Sequence, residues 1–200
     1  MTTANKITIL RILLIPFFVV TVLYYVKTGN EAQRVAALLI FAVAAICDGV
    51  DGYIARHYNQ RSELGTILDP LADKLLLVSG VVLLSFDHGP RLGQFPFWFA
   101  GTIIGRDLVI LLGMAVIHLT VGKVKVRPRI VGKLATVLQM LAIIWVLLTW
   151  DDVWHGRGLI VLTVSGAICT GVSGWLYVWD GIHQLSASPS SSPSEPPGKR

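Results

Sequence analysis

Four aspartates dominate the chemistry this chain offers. Asp48 and Asp51 are three residues apart, Asp69 and Asp73 four apart, and each pair sits at the end of a long apolar run. On helices, residues at these spacings share one face. Two such faces turned toward each other would gather four carboxylates around a small volume. Like charges at that density repel and need cations, and hard divalent ions such as magnesium choose oxygen ligands of this kind. Ionisable side chains at membrane depth are expensive and mark a functional site by default. A purely structural alternative pairs the acids with Arg56, Arg61 and Lys74. A rival functional class is an acid-lined bundle that conducts ions.

The elements that must position these acids are membrane helices. Of 200 residues, 54% are hydrophobic and 14% charged, where a soluble domain carries about a quarter charged residues. The mean hydropathy of +0.66 agrees. Apolar runs predict six spans, at about residues 12–26, 35–58, 67–86, 97–121, 134–150 and 159–179. Ahead of the first, residues 5–11 mix charge with apolar side chains in helical spacing and predict a short N-terminal interfacial helix. No alternating strand-like segment or internal repeat stands out. The fold class is therefore an all-α integral membrane protein, with residues 1–185 as a single membrane domain. Residues 186–200 form a Ser/Pro-rich tail with almost nothing to bury, and disorder is expected there.

A net charge of +5 would suggest nucleic acid in a soluble chain. Here it fits cytoplasmic loops lying against anionic lipid, and no nucleic-acid partner is expected. Six spans put both termini on one side. Placing them inside leaves eleven basic residues inside, among them Lys6, Arg11, Arg56, Lys123, Lys125, Arg127, Arg129 and Lys133, against Lys27, Arg34, Arg91 and Arg157 outside. The positive-inside rule then sets the aspartates at the cytoplasmic end of a multi-pass protein of the cell (inner) membrane. Cys47 and Cys169 are isolated and suggest neither a disulfide framework nor a zinc site. The first apolar run lacks a small-residue cleavage pattern, so no cleavable signal peptide is expected.

The pattern Asp48-x2-Asp51-Gly52-x2-Ala55-Arg56-x8-Gly65-x3-Asp69-x3-Asp73 resembles, at every fixed position, the signature of the CDP-alcohol phosphotransferases. That resemblance implies a membrane enzyme that moves a phosphatidyl or similar group from a CDP-linked donor to an alcohol and releases CMP. It also implies magnesium or manganese, two ions, held by Asp48, Asp51, Asp69 and Asp73, with Asp73 as the general base on the acceptor hydroxyl. Donor binding falls by the same resemblance to Gly52, Ala55, Arg56 and Gly65, and at the N-terminus to Asn5 and Thr8, where Ala4 replaces the family's usual proline. The chemistry accounts for the residue types. Gly52 and Ala55 keep one helix face open to a nucleotide, and the planar fork of Arg56 suits a diphosphate. Members of the family are homodimers, and the same assembly is expected here.

The acceptor is read from the ends of the resemblance. Residues 11–18 and Gly132-Lys133-x5-Gln139-Met140 are similar to bacterial phosphatidylglycerophosphate synthases. Gln60-Arg61-Ser62 and Arg106-Asp107 are closer to the cardiolipin synthases of the same superfamily. The first reading makes the reaction phosphatidyl transfer from CDP-diacylglycerol to glycerol 3-phosphate. The second makes phosphatidylglycerol the acceptor, and other alcohols remain open. Both acceptors present a phosphate and need cations beside the acids, for which Arg106, Arg129 and Lys133 are the candidates. Arg106 has a structural alternative, a pair with Asp107 or Asp48.

Overall fold

A computed structural model describes residues 3–57, 63–121, 130–149 and 157–186; the side chains of residues 3–6, 48–71, 73, 90, 114–121 and 181–186 fall outside that description. Among the described residues are six α-helices: α1 (Thr3–Thr28), α2 (Glu31–His57), α3 (Glu63–Ser85), α4 (Phe97–Val121), α5 (Ile130–Leu147) and α6 (Arg157–Ser186). A short 3-10 turn, Gly89–Arg91, lies between α3 and α4, in a stretch read from sequence as loop.

The helices match the predicted spans in number and order, and α4 coincides with its span. The predicted interfacial helix does not exist as a separate element. No glycine or proline divides residues 5–11 from the apolar run, so α1 is continuous from Thr3 and includes Pro16. Among the described residues, three segments are apolar and long enough to cross a membrane: Ile7–Thr28, Ile130–Leu147 and Arg157–Asp180. Among the same residues, Lys74–Ser85 of α3 forms a shorter apolar stretch.

α1 and α2 form a tight antiparallel hairpin. Gly29 takes φ +71°, a left-handed conformation that costs glycine nothing, and its N–H donates to the Tyr25 carbonyl at 2.7 Å. Asn30 then caps α2, its Oδ1 accepting from the Ala32 N–H at 3.0 Å. The hairpin buries Phe18, Val22 and Tyr25 of α1 against Ala37, Phe41 and Ala44 of α2, with the Phe18 and Phe41 rings 5.4 Å apart. α3 adds Ala72, Leu76, Leu77, Val81 and Leu84 to this core. Gly80 lets α5 approach closely, since a Cβ there would lie 2.8 Å from Ile143 Cδ1. α6 packs against both α4 and α5. Gln139 of α5, buried in an apolar helix, is satisfied by donating to Thr170 of α6 at 2.9 Å, as a polar group there must be. The opposite faces present Leu39, Ile46, Leu111, Leu112, Ile160 and Trp175 outward, which suits solvation by lipid chains.

Candidate active site

Helix geometry brings the four acids to common depths. Residues 58–62 are too few to run back along α2, which at about 1.5 Å per residue is about 40 Å long, so α3 descends antiparallel to it. Asp51 lies six residues before the end of α2 and Asp69 six after the start of α3; Asp48 and Asp73 lie nine and ten residues from the same ends. Each acid therefore has a counterpart at its own level on the neighbouring helix.

Register supplies the second constraint. The buried positions Ala37, Phe41 and Ala44 of α2 continue at three- and four-residue steps to Asp48, Asp51 and Ala55. On α3 the buried positions Leu76 and Ala72 lead back to Asp69, with Asp73 on the same stripe. The acids thus continue, by spacing, the series of positions that are buried further along each helix. Gly52 and Arg56 follow Asp51 and Ala55 on α2, and Gly65 lies one turn before Asp69 on α3.

α1 contributes at the same depths. Arg11 lies seventeen residues before the end of α1, and Asp48 seventeen after the start of α2; Thr8 and Asp51 match in the same way at twenty. Both Thr8 and Arg11 are fully buried. From sequence, Arg11 counts only as positive-inside charge near an interface. The structure instead puts it on the stripe with Thr8, Phe18, Val22 and Tyr25. An arginine removed from water in this way requires anionic or polar company. Asn5 falls on the first turns of the same helix.

Immediately after Asp73, the described side chains form a cluster of charges. Lys74 Nζ of α3 donates to both carboxylate oxygens of Asp107 on α4, at 2.7 and 2.6 Å. Arg106 Nη1 donates to Asp107 Oδ1 at 2.6 Å, and its Nη2 to Ser173 Oγ of α6 at 2.9 Å. The Tyr177 ring lies 5.8 Å from the guanidinium carbon, within cation–π range. Arg106 and Asp107 are each only 15% exposed at the side chain. Two glycines shape the slot. A Cβ on Gly132 of α5 would stand 3.1 Å from Ser173 Oγ and 3.2 Å from Arg106 Nη2, and one on Gly174 would stand 3.1 Å from Arg106 Cγ.

This cluster bears on two expectations. The structural alternative for the acids uses Lys74 as a counter-ion; among the described side chains Lys74 is bound by Asp107. Arg106 does pair with Asp107, as its own structural alternative has it, and among the described side chains this one carboxylate serves two cations. Lys133 is exposed in the first turn of α5, next to Gly132. Arg129, with Lys123, Lys125, Arg127, Arg61 and the tail from 187, lies outside the described residues. Sequence reading missed Ser173 and Tyr177. Their signal was a row of polar positions in an otherwise apolar span, Thr163, Thr170, Ser173 and Tyr177, at multiples of helical spacing.

The fold defines a helical membrane protein with its ionisable residues gathered on two antiparallel helices and beside them. Comparison with known proteins gives the class a name: the CDP-alcohol phosphatidyltransferase family profile matches residues 1–179. The chain belongs to this family and is an enzyme of that type. It is 35% identical over 183 residues to a probable phosphatidylglycerophosphate synthase of Mycobacterium tuberculosis, covering 91% of this chain and 82% of that protein. It is 33% identical, again over 183 residues, to the CDP-diacylglycerol–glycerol-3-phosphate 3-phosphatidyltransferase of Escherichia coli K12, covering 91% of this chain and 92% of the relative.

Proposed function

We propose that this protein transfers the phosphatidyl group of CDP-diacylglycerol to glycerol 3-phosphate, releasing CMP and forming phosphatidylglycerophosphate, a step of phospholipid biosynthesis. The observation that carries this reading is the near full-length similarity to relatives named for that reaction. Those names favour glycerol 3-phosphate over phosphatidylglycerol, between which the sequence motifs are divided.

The reaction balances with the residues at hand. An acceptor hydroxyl oxygen attacks the phosphorus that bears the diacylglycerol, the bond from that phosphorus to the CMP oxygen breaks, and the hydroxyl proton goes to Asp73. Asp48, Asp51, Asp69 and Asp73 are the residues that would hold magnesium or manganese. They fit such ions because they are oxygen donors at matching levels on two neighbouring helices. Bound there, the ions supply neutralisation of the diphosphate and of the departing CMP oxygen. Gly52, Ala55, Arg56 and Gly65, with Asn5 and Thr8 of α1, form the donor side. Arg106, with Lys133 and Arg129 on the α5 side, receives the acceptor phosphate.

We read all six helices as spans of one membrane domain, residues 1–185, with the motif facing the cytoplasm, where a water-soluble acceptor meets a lipid-anchored nucleotide. Homodimeric assembly follows from the family resemblance.

An acceptor screen tests the proposal. Purified protein with magnesium and CDP-diacylglycerol should release CMP with glycerol 3-phosphate and not with phosphatidylglycerol, inositol phosphate or serine. Release with phosphatidylglycerol alone would make the protein a cardiolipin synthase. No release with any of them would favour the ion-conducting bundle. Within the enzyme reading, Arg106→Ala should raise KM for glycerol 3-phosphate about tenfold or more, the scale of a lost hydrogen bond to a charged group, with KM for the donor nearly unchanged. An equal rise in both constants would remove Arg106 from the acceptor side.

A further inference from the structure

We infer that Asp107 and Ser173 are positioning residues for the acceptor: they hold the Arg106 guanidinium, in a slot kept open by Gly132 and Gly174, for the phosphate of an anionic acceptor. The inference rests on the reading of Arg106 given above and extends the site to α6, which the aspartate motif does not reach.

The geometry argues this in three parts. First, Arg106 is held from two sides. Asp107 takes Nη1 at 2.6 Å and Ser173 takes Nη2 at 2.9 Å, and the Tyr177 ring lies 5.8 Å away. A guanidinium has five N–H donors in a rigid fork, so besides a buried Nε–H one further N–H on each Nη remains after these two contacts. Second, Arg106 does not have Asp107 to itself. Asp107 also binds Lys74 through both oxygens; Lys74 is 41% exposed, whereas Arg106 is 15% exposed. A largely buried guanidinium that shares its carboxylate favours a further anion, and the acceptor phosphate is an anion. Third, small residues are needed around it. A methyl group at Gly132 would press on both partners of the Arg106–Ser173 hydrogen bond, and one at Gly174 would press on the Arg106 stem. The same Asp107 ties this slot to Lys74, next in the chain to Asp73, so the acceptor phosphate and the base are set relative to one another through a single carboxylate.

Steady-state kinetics of the full-length enzyme in mixed micelles, varying each substrate in turn, test the assignment. Ser173→Ala and Asp107→Asn should each raise KM for glycerol 3-phosphate about tenfold, as loss of a contact to a charged group does, while KM for CDP-diacylglycerol changes by less than about twofold. Asp107→Glu, which retains the carboxylate, should recover most of the loss, and Gly132→Ala should shift the same constant in the same direction. A general packing defect would move both constants together or lower kcat alone, and either result would overturn the inference. If Arg106→Ala raises KM for glycerol 3-phosphate but Ser173→Ala and Asp107→Asn do not, the positioning role fails and the acceptor reading of Arg106 stands. If Arg106→Ala leaves that constant unchanged, both fall.

Discussion

Two polar clusters stitch this bundle, one at the α1–α2 turn and one beside Asp73, and they use the same residue types to different ends. At the turn, Arg34 pairs with Glu31 at 2.6 Å and donates to Thr149 of the segment after α5. Arg91 donates to the Val26 carbonyl, and the Tyr25 hydroxyl reaches both Glu31 and the Arg91 carbonyl at 3.4 and 3.3 Å. Here too cations outnumber carboxylates. Glu31, however, is 63% exposed at its side chain, and Arg91 is exposed and rests on a carbonyl at the C-terminal end of α1, where the helix dipole welcomes positive charge. Water and backbone settle the balance. Beside Asp73 water reaches Lys74, 41% exposed, but Arg106 and Asp107 are each only 15% exposed. Both Arg34 and Arg106 keep a buried Nε with no partner among the described residues, so an orphaned N–H does not separate the clusters. Exposure does. The turn end holds helices together; the motif end holds a position open.

That contrast is open to test, beginning with the variant of largest expected effect. Asp73→Asn should lower kcat by about 10²–10⁴-fold, the usual worth of a positioned general base, with little change in thermal stability in detergent. Chelation by EDTA should abolish wild-type CMP release and added magnesium restore it. A nearly active Asp73→Asn enzyme would deny the motif end its chemistry. Gly158→Ala, at the opposite end, should do the reverse. Its new methyl would fall 2.2 Å from the Trp145 ring, and overpacking of this kind costs about 1–3 kcal/mol, read as a lower melting temperature with both Michaelis constants unchanged. A shift in acceptor KM alone would blur the division between the ends. Smallest of all, Glu31→Gln should cost less than about 1 kcal/mol, as exposed ion pairs do, and leave kinetics untouched. A large kinetic effect there would mean that the turn communicates with the site.

Much of the site was legible in the chain because its spacing matches helix geometry. Asp48, Asp51, Asp69 and Asp73 sit at three- and four-residue steps, and those steps extend the buried stripes of α2 and α3. Arg106 was legible as a cation within an apolar run. The roles of Arg11, Lys74, Ser173 and Gly132 were not. Arg11 looked interfacial because it lies near the N-terminus among polar neighbours, and its burial depends on which face of α1 meets α2 and α3. Lys74 looked like a counter-ion for the acids because it adjoins Asp73; its partner among the described side chains is Asp107 on α4. The interfacial helix was mistaken because a change in polarity was read as a break in the backbone, and nothing in residues 3–15 interrupts a helix.

By itself the sequence determined the helices, their order, the acid motif and the family, since all of these follow from local periodicity and from residues close together in the chain. Only the tertiary structure decided which cation meets which carboxylate and which glycines stand against a side chain. Asp107 joins Lys74 and Arg106 across α3 and α4, and Ser173 reaches the same guanidinium from α6. Those contacts link residues up to 67 positions apart, from Arg106 to Ser173. They depend on how the helices rotate and slide as they pack, which no spacing within a single helix specifies.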